Sequence, residues 1–213
     1  ILVCLVGSEM CIRDRSYRST PASRNFKLSI LHKRISLRYS EQIVTDRVLS
    51  PFLGLYYNHF IVKARESMIQ RSLVYLFEVD GIVGTKTIER IANNDGTINV
   101  SKYDGIAYYS GHRLYISERE KFLGHTIWHT TLYATTTKRE QFFSGLGLGN
   151  TIDSVQDISC YRSIFQFLGR SVNMRDALRG CGLFGLDDME IPAYIREHIE
   201  NKIELGENAF VAA

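Results

Sequence analysis

Between residues 52 and 168 the chain alternates short apolar-rich segments with clusters of turn-forming residues, a spacing that suits strands and not long helices. Residues 52–62 and 68–79 are dense in aromatic and β-branched side chains, the types that fit a pleated, half-buried surface. Asp80-Gly81 is a turn signal, and residues 82–91 form the next segment, closed by Asn93-Asn94-Asp95-Gly96. That cluster tolerates positive φ and favours a tight hairpin. Residues 97–100 are short. Residues 105–109 and 113–117 flank Ser110-Gly111, which suits a two-residue primed turn. Strands are further expected over 126–136, 141–148 and 159–168. Turn signals recurring at this interval predict a mainly β fold, an antiparallel meander closed as a barrel or strongly curved sheet.

The C-terminal part has a different period. Ile191, Ile195, Ile199 and Ile203 recur every fourth residue, with Tyr194 beside them, and predict one apolar helical stripe over 191–205. Pro192 suits a first helical turn, Asp187 or Asp188 an upstream cap, and Gly206 a stop after the last turn. The expectation is an amphipathic α-helix packed on the sheet or at a barrel mouth.

At the other end, residues 16–24 are polar and read as linker, residues 26–30 alternate as a short strand would, and residues 41–50 are ambiguous. The run at residues 4–15, which opens CLVGSEMCIRD, resembles a translated transposase-type sequencing adapter, in the frame CTC GTG GGC TCG GAG ATG TGT ATA AGA GAC. That resemblance implies that residues 1–15 are an artefact and that the native sequence begins near Ser16, its true N-terminus missing. The expected organisation is then the adapter-derived run 1–15, a basic linker or arm over 16–50, and a β-rich domain with its helix over 51–213.

Composition changes this picture in two places. Only Cys160 and Cys181 lie outside the adapter-like run, too few for a disulfide framework, so reduced thiols and a cytoplasmic location are expected. No apolar run approaches the roughly 18 residues of a membrane span. The net charge of +3 hides an asymmetry. Residues 16–40 carry Arg18, Arg24, Lys27, Lys33, Arg34 and Arg38 and no acid, so the body that follows is net negative. Such an arm is either a solvated linker or a weak, non-specific contact for nucleic-acid phosphates.

Candidate chemistry is sparse. His125 and His129 have the i, i+4 spacing of a helical metal pair, but their neighbours are strand-forming, and in a strand residues four apart lie about 13 Å from each other. Gly145-Leu146-Gly147-Leu148-Gly149-Asn150 lacks the spacing of a phosphate loop; glycines alternating in a strand mark a bend where another backbone comes close. Cys160 has no nucleophile signature around it. Glu118 and Glu120 share one strand face with Arg119 on the other, read as a charged edge or turn before acid/base chemistry. No catalytic residue, metal site or cofactor is assigned. The twelve tyrosines and eleven phenylalanines either line a cavity for an apolar or aromatic ligand or make ordinary core pairs.

Three short features, Phe52-Leu53-Gly54-Leu55-Tyr56-Tyr57, then Tyr103-Asp104-Gly105 followed by Leu114-Tyr115-Ile116, and Gly145 to Gly149, resemble the β-rich C-terminal regions of some bacterial helix-turn-helix regulators over about residues 50–190. The resemblance implies a sensory or oligomerisation module with no catalytic residues to carry over, and a DNA-binding domain upstream. The leading expectation is a non-enzymatic module that regulates by binding a small ligand or a protein partner. The alternatives are a small enzyme with its site inside the barrel, using Cys160, His125 or His129, and a structural oligomerisation domain.

Overall fold

The structure, a computed structural model, describes residues 48–213 except 63–67, 93–95, 123, 135–140, 151–156, 204, 207–208 and 213. The chain divides into the units Ile1–Ile43 and Val44–Ala213, and every described residue belongs to the second. The cations of the basic arm, Arg18, Arg24, Lys27, Lys33, Arg34 and Arg38, and the short strand expected over 26–30 therefore lie outside the described residues.

Eight antiparallel strands run up and down in chain order: β1 Gly54–Val62, β2 Met68–Val79, β3 Ile82–Ala92, β4 Ile98–Ser110, β5 Arg113–Glu120, β6 Ile127–Tyr133, β7 Phe142–Asn150 and β8 Ile158–Gly169. β1 pairs with both β2 and β8, so the meander closes into a barrel as the alternation predicts. Closure removes the sheet edge that a flat meander would expose. A short β9, Gly182–Phe184, adds antiparallel to the start of β2, at Ile69 to Arg71. Two helices follow the barrel, α1 Met174–Arg179 and α2 Ala193–His198. No described helix is long and apolar enough to cross a membrane.

The hairpins show how local chemistry sets register. Asp80 and Gly81 both have positive φ, 53° and 75°, the primed geometry that matches strand twist. The β4–β5 loop is Gly111-His112, with φ of 56° and 60°, because Ser110 pairs with Arg113. The turn therefore sits one residue later than Ser110-Gly111 suggests. Since side chains alternate, that one residue decides which face each strand turns inward. The segments 97–100 and 105–109 are one strand, β4, running through Gly105. A Cβ at Gly105 would lie 2.7 Å from the Glu118 Cα, so glycine lets the strand bend there instead of breaking.

One half of the barrel interior is apolar. Tyr56, Val74, Leu76, Val83, Leu114, Ile116, Leu132, Phe143 and Phe165 form its core, closed from below by Leu49 and Phe52 of the 3₁₀ turn Ser50–Phe52 and its approach. Burying each large side chain there contributes about 1.5–3 kcal/mol. The plug is tied by hydrogen bonds from the Tyr56 hydroxyl to the Phe52 carbonyl and from the Arg170 guanidinium to the Ser50 carbonyl, each 2.5 Å. Leu49 and Ser50, which the charge pattern assigns to the arm, thus belong to the β domain.

Among the described residues, the outer face is covered on one side only. α2 and its flanking residues bury Ile191, Ile195 and Ile199 against Ile69 and Ile164, while Ala177 of α1 and Cys181 pack on Leu55 and Leu73. The stripe is real but shorter than its period suggests. The helix stops at Ile199, and Ile203 is 59% exposed. Pro192 occupies the cap position, and Gly206, though at φ 95°, lies beyond the helix. The cause is tertiary: Arg162 of β8 takes its backbone partner from the Asn201 side chain and donates its guanidinium to the carbonyls of Glu200 and Val211. Those bonds tie residues 200 and 201 to β8, where a further helical turn would withdraw them. Arg71, 7% exposed, staples the same side by donating to the carbonyls of Gly180 and Glu190, 3.0 Å each, with its guanidinium over Phe184.

Candidate functional site

The second half of the barrel interior is polar. It is built from the ends of β1, β3, β5 and β7 and the beginnings of β2, β4, β6 and β8. Alternation places Phe60, Gln70, Ser72, Thr87, Glu89, Tyr103, Glu118, Trp128, Tyr161 and Ser163 on the inward face, continuing the parity of the core residues Tyr56, Val74, Ile116 and Phe165. No Lys or Arg among the described strand residues shares that parity: Arg71, Lys86, Arg90, Lys102, Arg119 and Arg162 all point outward.

Two of the inner carboxyl groups, Glu89 and Glu118, are held by neutral side-chain donors. The Thr87 hydroxyl lies 2.8 and 3.0 Å from the two Glu118 oxygens, and the Tyr103 hydroxyl donates to Glu89 at 3.3 Å. Burial pushes Glu89 up to about 7, against the Tyr103 hydrogen bond, with Glu118 adding to the rise. Burial likewise pushes Glu118 up to about 7, against the hydrogen bond from Thr87. The Tyr161 phenol is raised well above its ordinary value, first by burial, then by Glu89 and Glu118. The charges of both carboxyls thus reach one phenol, and strand parity turns all three groups to the same interior. At neutral pH each carboxyl stands between acid and carboxylate and can donate or accept a hydrogen bond.

The polar half is not sealed from solvent on every side. Glu89, Trp128 and Tyr161 keep accessible surface although burial dominates the titration of Glu89 and Tyr161. Aromatic rings wall it: Phe60 stacks on Tyr161 at 4.4 Å, and Trp128 lies 5.0 Å from the same ring. Glycines make the room, since a Cβ at Gly147 would meet the Tyr161 ring at 2.8 Å and one at Gly149 the Trp128 ring at 2.4 Å. The glycine run of β7 is thus a place of close approach, as its alternation predicts. Among the buried polar atoms on this face, the Ser72 hydroxyl and the Gln70 side-chain carbonyl have no hydrogen-bond partner. A buried polar atom left unpaired costs about 1–3 kcal/mol, so such atoms mark a place where a partner is due.

Strand parity rearranges the residues singled out from the sequence. Glu118 and Glu120 do share a face, but it is the interior, at 8% and 3% exposure, not a charged edge. Glu120 closes the β5–β6 turn by accepting from the backbone of Phe122 and Gly124 at 2.8 and 2.9 Å, so the turn reading holds for it and fails for Glu118. His125, His129 and Cys160 are exposed on the outer surface, so the structure does not bring them to an active site inside the barrel. Cys181 is buried, its thiol pushed up to about 12 by burial. Of the aromatic residues, Tyr56, Phe143 and Phe165 fill the apolar core, as ordinary core pairs would, while Phe60, Trp128 and Tyr161 cluster in the polar half. Glu89, Tyr103, Thr87 and Ser72 went unrecognised, and the only available signal was that each is a polar residue at an inward position of a mostly apolar strand.

No family model, no curated protein and no solved structure matches this chain.

Proposed function

We propose that this chain is a non-enzymatic binding module that takes a small, partly aromatic molecule into the polar half of its barrel, as the sensory part of a regulator. An eight-stranded barrel is about wide enough for one small ligand when side chains do not fill it. The observation that carries the reading is the convergence of Glu89, Tyr103, Glu118, Trp128 and Tyr161 on a space bordered by the unpartnered Ser72 and Gln70 atoms. An apolar wall with a few convergent polar groups is the usual make-up of a ligand site. The closed, plugged apolar half gives the site a rigid floor. In a regulator the basic arm would supply phosphate contacts, and a DNA-binding domain upstream would supply specificity.

Trp128 is the sole tryptophan of the chain and stands at the site, so its emission reports occupancy directly. Titrating a panel of small aromatic compounds should give a saturable, one-to-one change in emission. Tyr161→Ala should weaken it at least about tenfold by removing the stacking wall, while Tyr108→Ala on the outer face leaves it intact. A panel that never saturates, or a loss shared equally by both variants, rejects the reading. The oligomerisation alternative draws on Tyr108, Ile127, Tyr133 and Leu148, exposed on the outer faces of β4, β6 and β7. Sedimentation showing a monomer up to high concentration dismisses it.

A further inference from the structure

We propose that the molecule bound in the polar half of the barrel is an organic cation, an ammonium or amidinium group carried on an aromatic or short apolar body. This rests on the ligand-binding reading above and specifies its chemistry. Besides Glu120, which closes the β5–β6 turn, the inner surface offers two carboxyl groups, Glu89 and Glu118, from neighbouring regions of β3 and β5, and the charges of both reach Tyr161. The inward groups on the elements around them include Asn58 and Phe60 of β1, Gln70 and Ser72 of β2, Thr85 and Thr87 of β3, Ser101 and Tyr103 of β4, Glu120 of β5, Trp128 and Thr130 of β6, and Tyr161 and Ser163 of β8. Among the described residues none of these is a cation. Asp104, on the outer face of β4 beside Lys121, adds further negative potential at Glu118. A buried carboxylate normally has a paired cation or gives up its charge, and here no side chain of the described interior supplies that cation.

The rest of the space suits the same guest. Tyr161 has Phe60 stacked on it at 4.4 Å and Trp128 tilted against it at 5.0 Å between ring centroids, an aromatic cluster that attracts a cation and its apolar body alike. The unpartnered Gln70 carbonyl oxygen accepts an ammonium hydrogen, and the Ser72 hydroxyl, across from Asn58 on β1, can accept another. An anionic guest would meet two carboxyl groups and three ring faces with no counter-charge. A neutral guest would leave the carboxyls as they are.

Proton linkage gives the inference its own signature. In the empty protein burial holds Glu89 and Glu118 at about 7. A cation favours the carboxylate form, so its binding lowers these values and expels protons near neutral pH. Affinity should therefore rise as pH increases through about 7 and level off above it.

The test uses the full chain and three matched probes: phenethylammonium, 2-phenylethanol and phenylacetate. Trp128 emission reports binding, and calorimetry in buffers of different ionisation enthalpy reports protons released. Phenethylammonium should bind at least about tenfold more tightly than 2-phenylethanol at pH 8, with proton release at pH 7. Glu89→Gln/Glu118→Gln should abolish that preference while retaining the alcohol. The wild-type pH profile needs no variant: phenethylammonium should gain about tenfold in affinity between pH 6 and 8, and the alcohol should not change. Equal or tighter binding of the alcohol or of phenylacetate overturns the cation proposal and leaves the ligand-binding reading standing. Saturable binding by none of the three overturns both.

Discussion

Glu118→Gln should stabilise the folded chain above pH 7 and leave it nearly unchanged near pH 4. Glu118 is 8% exposed and has no cation beside it on the inward face. Burial raises its carboxyl from 4.5 to about 7 in the folded state, with Thr87 hydrogen bonding only partly opposing this. Because the folded value lies above the unfolded one, the neutral acid is favoured by folding. Its contribution is fully present below 4.5 and is lost as pH rises through about 7. The shift corresponds to about 3 kcal/mol lost over that window. Gln cannot ionise, keeps nearly the same volume and still accepts from Thr87 Oγ1. The variant should therefore match the wild type at pH 4 and exceed it by about 3 kcal/mol at pH 8, a rise of roughly 5–10 °C in unfolding midpoint for a domain of this size. His59 runs the other way. Burial, then Arg71, lowers its imidazole to about 3, so stability present above 6.5 is lost as pH falls. Both proteins carry His59, so the term cancels in the difference. Urea unfolding of the two proteins at half-unit steps from pH 4 to 8.5 measures the difference curve. A flat curve, or a variant less stable by a constant amount at every pH, would show that Glu118 is solvated or paired and that the interior is not as described.

Other parts of the structure are equally open to measurement. Ile195 is fully buried and Ile203 is 59% exposed, so Ile195→Ala should cost about 2–5 kcal/mol and Ile203→Ala under about 0.5 kcal/mol by chemical denaturation. Arg71→Met keeps the apolar stem but frees the carbonyls of Gly180 and Glu190; amide exchange over 180–190 should quicken at least about tenfold, while the strands of the barrel change little. Cys160 is exposed and Cys181 buried, so a thiol reagent should label Cys160 first and reach Cys181 only on unfolding. If the basic arm contacts phosphates, affinity for duplex DNA should fall with salt at a log–log slope of about −4 to −5, and removing residues 16–40 should abolish it; equal affinity without the arm excludes that contact.

The sequence by itself determined the local part of this protein. Alternation and turn residues marked each barrel strand, because a strand's period of two and a turn's need for positive φ are written in neighbouring residues: Asp80-Gly81 is a primed turn, and the β7 glycines are sites of close approach. The spacing of Ile191, Ile195 and Ile199 announced a buried stripe for the same reason. Alternation says which residues share a face, but not which face looks inward, and closure of β1 on β8 alone decided that. Hence Glu118 read as a charged edge and is a buried acid, and the exposed His125, His129 and Cys160 carried more weight than the enclosed Glu89, Tyr103 and Tyr161. The helix ended early for a similarly non-local reason: Arg162, nearly forty residues upstream, claims the chain at Glu200 and Asn201. The polar half of the interior, assembled from eight strands, has no signature in any one of them, because its distances are set by the curvature of the closed sheet.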